Sequence, residues 1–234
     1  MFIDFHSHFL HNIDDGAVDI DMAAEMLKCS KVCGTEFVVC TPHCNVREDM
    51  DILCEKRDSL ISEIKDFCCK YELDIPQIVP GFEVDFYCLS NSSEKELKKL
   101  CIGNSPYILI EMPYSGWNSR IFEVLYNLTL KNIKPVVAHI DRYYHMIGDA
   151  VFDIFDYDVD FQINCSAFTN IPGRNFVKKM LKAGKRCTVG TDMHNLTSRP
   201  CNIKAAYDIA VKKFKDECDR IFYTNAYNMI SENK

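Results

Sequence analysis

Short apolar runs alternate along the chain with longer segments in which apolar residues recur every three or four positions. The short runs lie at 1–5, 36–40, 77–80, 107–110, 135–138, 161–163 and 188–190. The longer segments at 21–33, 47–71, 119–131, 174–183 and 202–214 have the period of about 3.6 residues that is typical of amphipathic helices. The pattern therefore predicts strands that alternate with helices, an order typical of parallel sheets.

The repeated strand–helix units favour a closed or nearly closed α/β barrel over an open sheet. A doubly wound sheet is the second possibility, because it also alternates strands with helices. The chain has 234 residues, a length that suits one large α/β domain, and no linker-like stretch divides it. We therefore expect residues 1–234 to form a single α/β domain.

Composition narrows the possible functions and the compartment. The 27 basic and 34 acidic residues give a net charge of −7, which argues against a general nucleic-acid binder. The 13 cysteines are odd in number and none has the C-x-x-C spacing, so we expect free thiols in a reducing compartment. The first residues lack a signal-peptide pattern, and no apolar run approaches the roughly 20 residues of a membrane helix. We expect a cytoplasmic protein that does not insert into membranes.

Histidines and carboxylates follow nearly every predicted strand. In chain order they are His6, His8, Asp14, Asp15, His43, Glu83, Glu111, His139, Asp192 and His194. Because parallel strands of a barrel end at one face, we expect these side chains to converge there. Imidazoles and carboxylates are ligands of divalent metals, and so many of them exceed the needs of one ion. Two or three ions with bridging carboxylates are therefore predicted.

Asp14 and Asp15 compete for one ligand position, and the other is expected to orient a ligand or to form the turn before Gly16. Arg142 and Arg199 lie just beyond predicted strand ends. Guanidinium groups match phosphate oxygens, although a salt bridge on the loop face is an equal alternative for each arginine. Clustered metals beside arginines are suited to the hydrolysis of phosphate esters.

The chain resembles the PHP (polymerase and histidinol phosphatase) superfamily and, more narrowly, the bacterial metal-dependent protein-tyrosine phosphatases that regulate capsule and exopolysaccharide synthesis. The resemblance rests on the segments IDFHSHFLHNIDDGAVD, VVCTPH, PGFE, ILIEMP, VVAHIDRY, FQINCSAF and TDMHNLTSRP, which occur in this order from Phe2 to Pro200. The chain differs from some members of the family after the T-P-H motif. Those members have additional His or Arg residues there, whereas this chain continues Cys44-Asn45-Val46-Arg47.

The resemblance implies a distorted (β/α)7 barrel, the TIM-like PHP fold, with three divalent ions at the carboxyl ends of the strands. Manganese is the first choice of metal, and iron, zinc or magnesium are the alternatives. The implied metal ligands are His6, His8, Asp15, His43, Glu83, Glu111, His139, Asp192 and His194. Arg142 and Arg199 would bind phosphate, and Asp15 or Asp192 would also orient the nucleophile. The implied substrate is a phosphotyrosine of a membrane-associated tyrosine autokinase.

Three other functions remain open at this point. A histidinol-phosphate or other small-molecule phosphatase of the PHP superfamily would share the whole ligand set. A nuclease would share it too, but the acidic net charge weighs against that function. A non-enzymatic metal-binding regulatory module would be expected to have lost ligands, and all nine expected positions are filled here.

Overall fold

The computed structural model describes residues 1–45, 49–90, 92–114 and 116–232. Its parallel strands lie inside a layer of helices. The strands are β1 (Phe2–Ser7), β2 (Thr35–Cys40), β3 (His43–Cys44), β4 (Gln77–Pro80), β5 (Glu83–Asp85), β6 (Tyr107–Glu111), β7 (Lys134–Val137), β8 (Asp160–Asn164) and β9 (Cys187–Gly190). All seven predicted strands are present, with ends shifted by a few residues.

The strands close into a distorted barrel. β1, β2 and β4 form one sheet, and β3, β5, β6, β7, β8 and β9 form the other. Two residues separate β2 from β3 and β4 from β5, so each pair is one interrupted strand that links the two sheets. The seam between β9 and β1 is closed by hydrogen bonds from Asp192 N to His6 O (2.8 Å) and from His8 N to Met193 O (2.9 Å). The (β/α)7 barrel is therefore confirmed, and the doubly wound sheet is excluded.

The interruptions correct one expectation about the site. The sequence pattern placed His43 and Glu83 in loops after the second and third strands. The structure instead has both residues on the short strands β3 and β5, which pair with each other in parallel, His43 opposite Glu83. A strand backbone therefore fixes both side chains more firmly than a loop would.

The helices lie outside the barrel. They are α1 (Ile20–Val32), α2 (Met50–Lys70), α3 (Phe86–Leu89), α4 (Glu94–Leu100), α5 (Ser119–Leu130), α6 (Ile140–Ile147), α7 (Ile171–Lys182), α8 (Ile203–Phe214), α9 (Glu217–Asp219) and α10 (Asn225–Ser231). The five predicted helices correspond to α1, α2, α5, α7 and α8. The predicted start of the second helix at Arg47 lies outside the described residues. None of the helices in the described part of the chain is long and apolar enough to span a membrane.

Short polar side chains start several of the long helices. Asp19 accepts a hydrogen bond from Met22 N at 2.8 Å before α1, and Asn170 accepts one from Gly173 N at 2.7 Å before α7. Asn118 accepts from the first turn of α5 in the same way. Such caps satisfy amide groups that have no partner within the helix. They fix where each helix begins and therefore the length of the preceding loop at the strand ends.

Close contact between β9 and β1 requires a glycine. A Cβ atom on Gly190 would lie 2.5 Å from the Cβ of His6, so only glycine allows β9 to approach β1 this closely. Asp4 lies buried in the same seam and accepts hydrogen bonds from the backbone (2.8 Å) and hydroxyl (2.6 Å) of Thr191. Burial raises the pKa of Asp4 to about 6, although the bonds from Thr191 oppose this. These contacts hold the end of β9 against β1.

Candidate metal centre

Imidazole and carboxylate groups meet at the carboxyl ends of the strands, as the sequence predicts. Three overlapping groups have donor atoms within 4.8 Å of one another; they are His6, His8 and Glu83; His8, Asp15, His43 and His194; and His43, Glu83 and Glu111. The remaining two predicted ligands adjoin these groups. His139 Nε2 lies 2.8 Å from Glu83 Oε1, and Asp192 Oδ1 lies 3.6 Å from His6 Nε2. The structure thus brings all nine predicted residues together.

Glu83 lies at the centre of this cluster and is almost fully buried. Its Oε2 is 3.2 Å from His6 Nε2, 3.3 Å from His8 Nε2 and 3.2 Å from His43 Nδ1. Burial opposes the ionisation of Glu83, but the charge of His6 and hydrogen bonds from the imidazoles hold its pKa well below the usual range. One buried carboxylate therefore contacts four imidazoles, a geometry suited to a bridging ligand.

Three of the histidines are oriented by hydrogen bonds at Nδ1. His6 Nδ1 lies 3.0 Å from Gln162 Oε1, His8 Nδ1 lies 2.7 Å from Asp14 Oδ2, and His194 Nδ1 lies 3.0 Å from the backbone oxygen of Asp192. An acceptor at Nδ1 fixes the proton there and leaves the Nε2 lone pair directed inward, as in metal-binding histidines.

The inward nitrogens form a site that suits a cation. The Nε2 atoms of His6 and His8 are only 3.0 Å apart. Two neutral imidazoles with lone pairs facing each other at this distance repel unless a proton or a cation lies between them. Burial lowers the pKa of His8, but hydrogen bonds to Asp14 and Glu83 outweigh it and raise this pKa to about 10. This donor set fits divalent metal ions.

The two neighbouring aspartates have different positions. Asp14 accepts hydrogen bonds from His8 Nδ1, from His43 N at 3.1 Å and from Gly16 N at 2.9 Å. Asp15 Oδ1 instead lies 3.5 Å from His43 Nε2 and 3.3 Å from His194 Nε2. Asp14 therefore occupies the orienting position, and Asp15 lies among the candidate ligand atoms.

Unusual backbone angles aim two of the candidate ligands. His139, directly before α6, has φ 31° and ψ 51°, and Asp192 has φ 54°. Both conformations are left-handed, which side chains other than glycine adopt infrequently and which often occurs at functional sites. Gln162 stabilises the left-handed conformation of His139, because its Oε1 accepts a hydrogen bond from His139 N at 2.6 Å.

Arg142 and Arg199 both bind Asp192. Their Nη2 atoms lie 2.7 Å and 2.6 Å from the same oxygen, Asp192 Oδ2. Burial opposes ionisation of Asp192, but His6, His8 and Arg199 outweigh it and hold its pKa well below the usual range. Both guanidinium groups also line a cavity of about 300 Å³. Arg142 and Arg199 therefore form the salt bridge that was one alternative for each of them, and they also lie beside the candidate metal ligands.

That cavity contains most of the candidate ligands. Its lining residues are Asp15, His43, Asn45, Glu83, Glu111, Tyr114, Arg142, Asp192, His194 and Arg199. Oxygen and nitrogen donors thus line one side and two cations the other. Because guanidinium forks bind anionic oxygens well, the two arginines make this cavity suited to a compound with such oxygens.

Sequence reasoning did not single out three polar residues of the site. Gln162 contacts His6 and His139, and Asn164 Nδ2 donates to Asp192 Oδ2 at 3.3 Å. Gln162 is a polar residue within the predicted strand 161–163, and Asn164 directly follows that strand, which was the available signal. Tyr114, in a predicted loop, donates its hydroxyl to Glu111. Burial and this bond raise the pKa of Tyr114 to about 12.

Comparison with known proteins places this geometry in a family. The chain is 29% identical over 243 residues to tyrosine-protein phosphatase YwqE of Bacillus subtilis. The aligned region covers 96% of this chain and 89% of YwqE. It is 29% identical over 244 residues to tyrosine-protein phosphatase CpsB of Streptococcus pneumoniae, with 98% of each chain covered.

Solved structures with this fold include metal-dependent tyrosine phosphatases. A crystal structure from the work on YwqE of Bacillus subtilis and CpsB of Streptococcus pneumoniae matches with a TM-score of 0.80 at 23% identity, covering 99% of this chain and 95% of that one. The lactonase Lmo2620 of Listeria monocytogenes matches with a TM-score of 0.63 at 13% identity, covering 100% and 95%. These two matches show a shared barrel fold.

The family model for capsular polysaccharide synthesis proteins CpsB/CapC matches residues 2–231. This match spans every strand and helix described above and agrees with the resemblance seen in the sequence motifs. The chain therefore belongs to the CpsB/CapC family of capsular polysaccharide synthesis.

Proposed function

We propose that this protein is a metal-dependent protein-tyrosine phosphatase of capsule or exopolysaccharide synthesis. The observation that carries the proposal is the single cavity in which candidate metal ligands face two arginines bound to Asp192. Family membership supports the same reaction, because the relatives YwqE and CpsB are named tyrosine-protein phosphatases. Residues 1–234 would act as one catalytic domain.

The proposed ligands are the nine residues that the motifs indicate: His6, His8, Asp15, His43, Glu83, Glu111, His139, Asp192 and His194. Their three overlapping groups support three divalent ions, and manganese is the proposed metal, with iron, zinc or magnesium as alternatives. When bound, such ions polarise phosphoryl oxygens and lower the pKa of a bound water towards neutrality.

The chain's own side chains would complete the site. Arg142 and Arg199 bind the phosphoryl oxygens and compensate the charge that develops during transfer. Asp15 and Asp192, at the edge of the same cavity, orient the attacking water. The bond from phosphorus to the tyrosine oxygen breaks, and the phenolate leaves with little need for a general acid because phenols are fairly acidic.

The proposed substrate is a phosphotyrosine protein, specifically a membrane-associated tyrosine autokinase, and the proposed compartment is the cytoplasm. Nucleic acid is a poor alternative substrate for a chain with a net charge of −7. A histidinol-phosphate phosphatase would use the same ligands, so only a comparison of substrates distinguishes it.

The test measures phosphate release from a phosphotyrosine peptide by the purified protein, with added Mn²⁺, with chelator, and with His139→Ala. We expect turnover that chelator abolishes and that the variant lacks. Bound metal without turnover on the peptide, but with turnover on histidinol phosphate, would support the small-molecule alternative. Bound metal without turnover on either compound would favour the non-enzymatic module.

A further inference from the structure

A second, smaller cavity adjoins the metal-ligand cavity at the ends of β5 and β6. It has a volume of about 130 Å³ and shares Glu111 and Tyr114 with the larger cavity. Its other walls include Phe86, Tyr87 and Pro113. Tyr114 therefore lies between the place where phosphate would bind and a small space whose walls combine aromatic rings, Met112 and Pro113 with the carboxylates of Asp85 and Glu111.

Buried aromatic residues hold the Tyr114 wall in place. The hydroxyl of Tyr143 donates to Met112 O at 2.8 Å, and Trp117 Nε1 donates to Pro113 O at 3.0 Å. The ring of Tyr143 lies 6.1 Å from that of Tyr114 and 5.3 Å from that of Trp117, centroid to centroid. The backbone of Met112 and Pro113, directly before Tyr114, is thus held by the buried Tyr143 and the partly buried Trp117, which limits where the Tyr114 ring can lie.

The opposite wall carries an exposed aromatic ring. α3 begins directly after β5, because Asp85 accepts a hydrogen bond from Tyr87 N at 2.7 Å. Phe86 faces the core, whereas Tyr87 remains 58% exposed at the rim. An exposed aromatic ring beside a reaction site is available to pack against a ligand.

We propose that this small cavity, walled by Tyr87 and Tyr114, receives the aromatic ring of the substrate and selects aryl over alkyl phosphates. The inference rests on the proposed function and identifies the residues that would recognise the phenol. Apolar cavities of about 150 Å³ accommodate benzene, so the size is appropriate for one ring. Because the two cavities share Glu111 and Tyr114 as lining residues, a ring in the smaller cavity would lie next to a phosphate in the larger one.

A third cavity offers the main competing position for the leaving group. It lies on the other side of Arg142 and Arg199, has a volume of about 370 Å³, and is lined largely by polar residues such as Asn164, Ser166 and Asn202. The buried Oδ1 of Asn202 has no hydrogen-bond partner among the residues that the structure describes. A hydrophilic group matches this lining better than a phenyl ring, because burying unpaired polar atoms against a ring is unfavourable.

The test measures binding of two phosphate analogues by calorimetry in the presence of Mn²⁺, so the result does not depend on turnover. Phenylphosphonate carries the ring, and methylphosphonate lacks it. We expect Tyr87→Ser to weaken phenylphosphonate binding roughly five- to tenfold, the effect of losing an aromatic partner, and to leave methylphosphonate binding unchanged. Tyr114→Leu also removes the hydrogen bond to Glu111, so it should weaken phenylphosphonate binding more than methylphosphonate binding. Tyr114→Phe, which keeps the ring, should bind phenylphosphonate like the unaltered protein.

Two controls make the result specific. Tyr126→Ser removes a tyrosine of similar exposure on α5 and should change neither affinity. Tyr87→Ser is the check on Tyr114→Leu. Tyr114 donates a hydrogen bond to Glu111, whereas Tyr87 lies at the rim and does not line the metal-ligand cavity. Equal changes for both phosphonates, or unchanged phenylphosphonate binding in Tyr87→Ser and Tyr114→Leu, would overturn the proposal. The proposal would also be overturned if Ser166→Ala, in the third cavity, weakened phenylphosphonate binding while Tyr87→Ser and Tyr114→Leu did not.

The outcome is separable from that of the proposed function. Tyr87-dependent binding of phenylphosphonate in a protein that hydrolyses no phosphotyrosine peptide would sustain the aryl cavity and overturn the phosphatase proposal. Peptide hydrolysis together with phenylphosphonate binding that depends on neither Tyr87 nor Tyr114 would support the phosphatase proposal and overturn the aryl cavity.

Discussion

Two buried carboxylates organise the site, and their partners differ in kind. Glu83 contacts the imidazoles of four histidines, whereas Asp192 binds Arg142 and Arg199 through one oxygen. An imidazole is charged only when protonated, but a guanidinium group is always charged. The charge of Asp192 is therefore compensated by the protein itself, and the charge of Glu83 is well placed to be compensated by metal cations. We call the imidazole cluster around Glu83 the metal half of the proposed site and the pair Arg142 and Arg199 the phosphate half. Asp192, a proposed metal ligand, contacts both, because its Oδ1 faces His6 and its Oδ2 faces the arginines.

Replacing Glu83 tests the metal half and should have the largest effect. Glu83→Gln keeps the shape but removes the charge that faces four imidazoles. We expect bound manganese, measured by elemental analysis, to fall and phosphatase turnover to drop by at least about a hundredfold, more than the loss of an outer partner. The exposed Glu55→Gln on α2 is the matched control. Full metal content and activity in Glu83→Gln would refute this role.

Replacing either arginine tests the phosphate half. Arg142→Ala and Arg199→Ala should each lower kcat/KM by roughly 10²-fold or more, because each removes a cation from the developing phosphoryl charge. Bound metal should not change, which separates this half from the Glu83 half. The exposed Arg120→Ala serves as control. A parallel loss of metal would show that the two halves are not independent.

Asp14 allows a finer test of the metal half. Asp14→Asn should weaken Mn²⁺ binding by roughly 10- to 100-fold in a competition titration with a chelator, because His8 loses the anionic acceptor at Nδ1. Turnover at saturating Mn²⁺ should recover most of its original rate. Asp21→Asn, an exposed position on α1, is the matched control. Unchanged affinity would mean that the backbone alone orients His8.

The smallest effect is expected for a thiol near the site. Cys44→Ala removes the buried sulfur directly after His43 and should leave turnover at saturating metal unchanged, because the proposed reaction uses no thiol nucleophile. The rate is to be measured per folded protein, with Cys69→Ser, an exposed position, as control. Abolished turnover with full metal content would indicate that the Cys44 thiol takes part in the reaction, and would contradict a mechanism based on Glu83 and Asp192 alone.

The long periodic elements were predictable from sequence, and the short ones were not. Elements such as the strand β6 and the helix α5 have enough residues for an apolar pattern to appear. The two-residue strand β3 and the four-residue helix α3 are too short for a period, and tertiary pairing, such as His43 opposite Glu83, decides their conformation.

The candidate ligands were predictable because each comes after an apolar run in the sequence, and barrel strands end at one face. The roles of Asp14 and Asp15 were not, because they depend on which carboxylate reaches His8 across the loop. The left-handed backbone at His139 was also hidden, since no local signal distinguishes it and Gln162 on another strand supports it. Long-range contacts of this kind are fixed only by the complete fold.

The seam between β1 and β9 has a consequence for the life of the protein before folding is complete. His6 and His8 leave the ribosome before Asp192, His194 and Arg199 do. The seam that joins them cannot form until β9 has been synthesised. A nascent or truncated chain that stops before β9 therefore lacks the complete cavity, and the proposed enzyme would acquire its activity only once β9 and the segment up to Arg199 have been made.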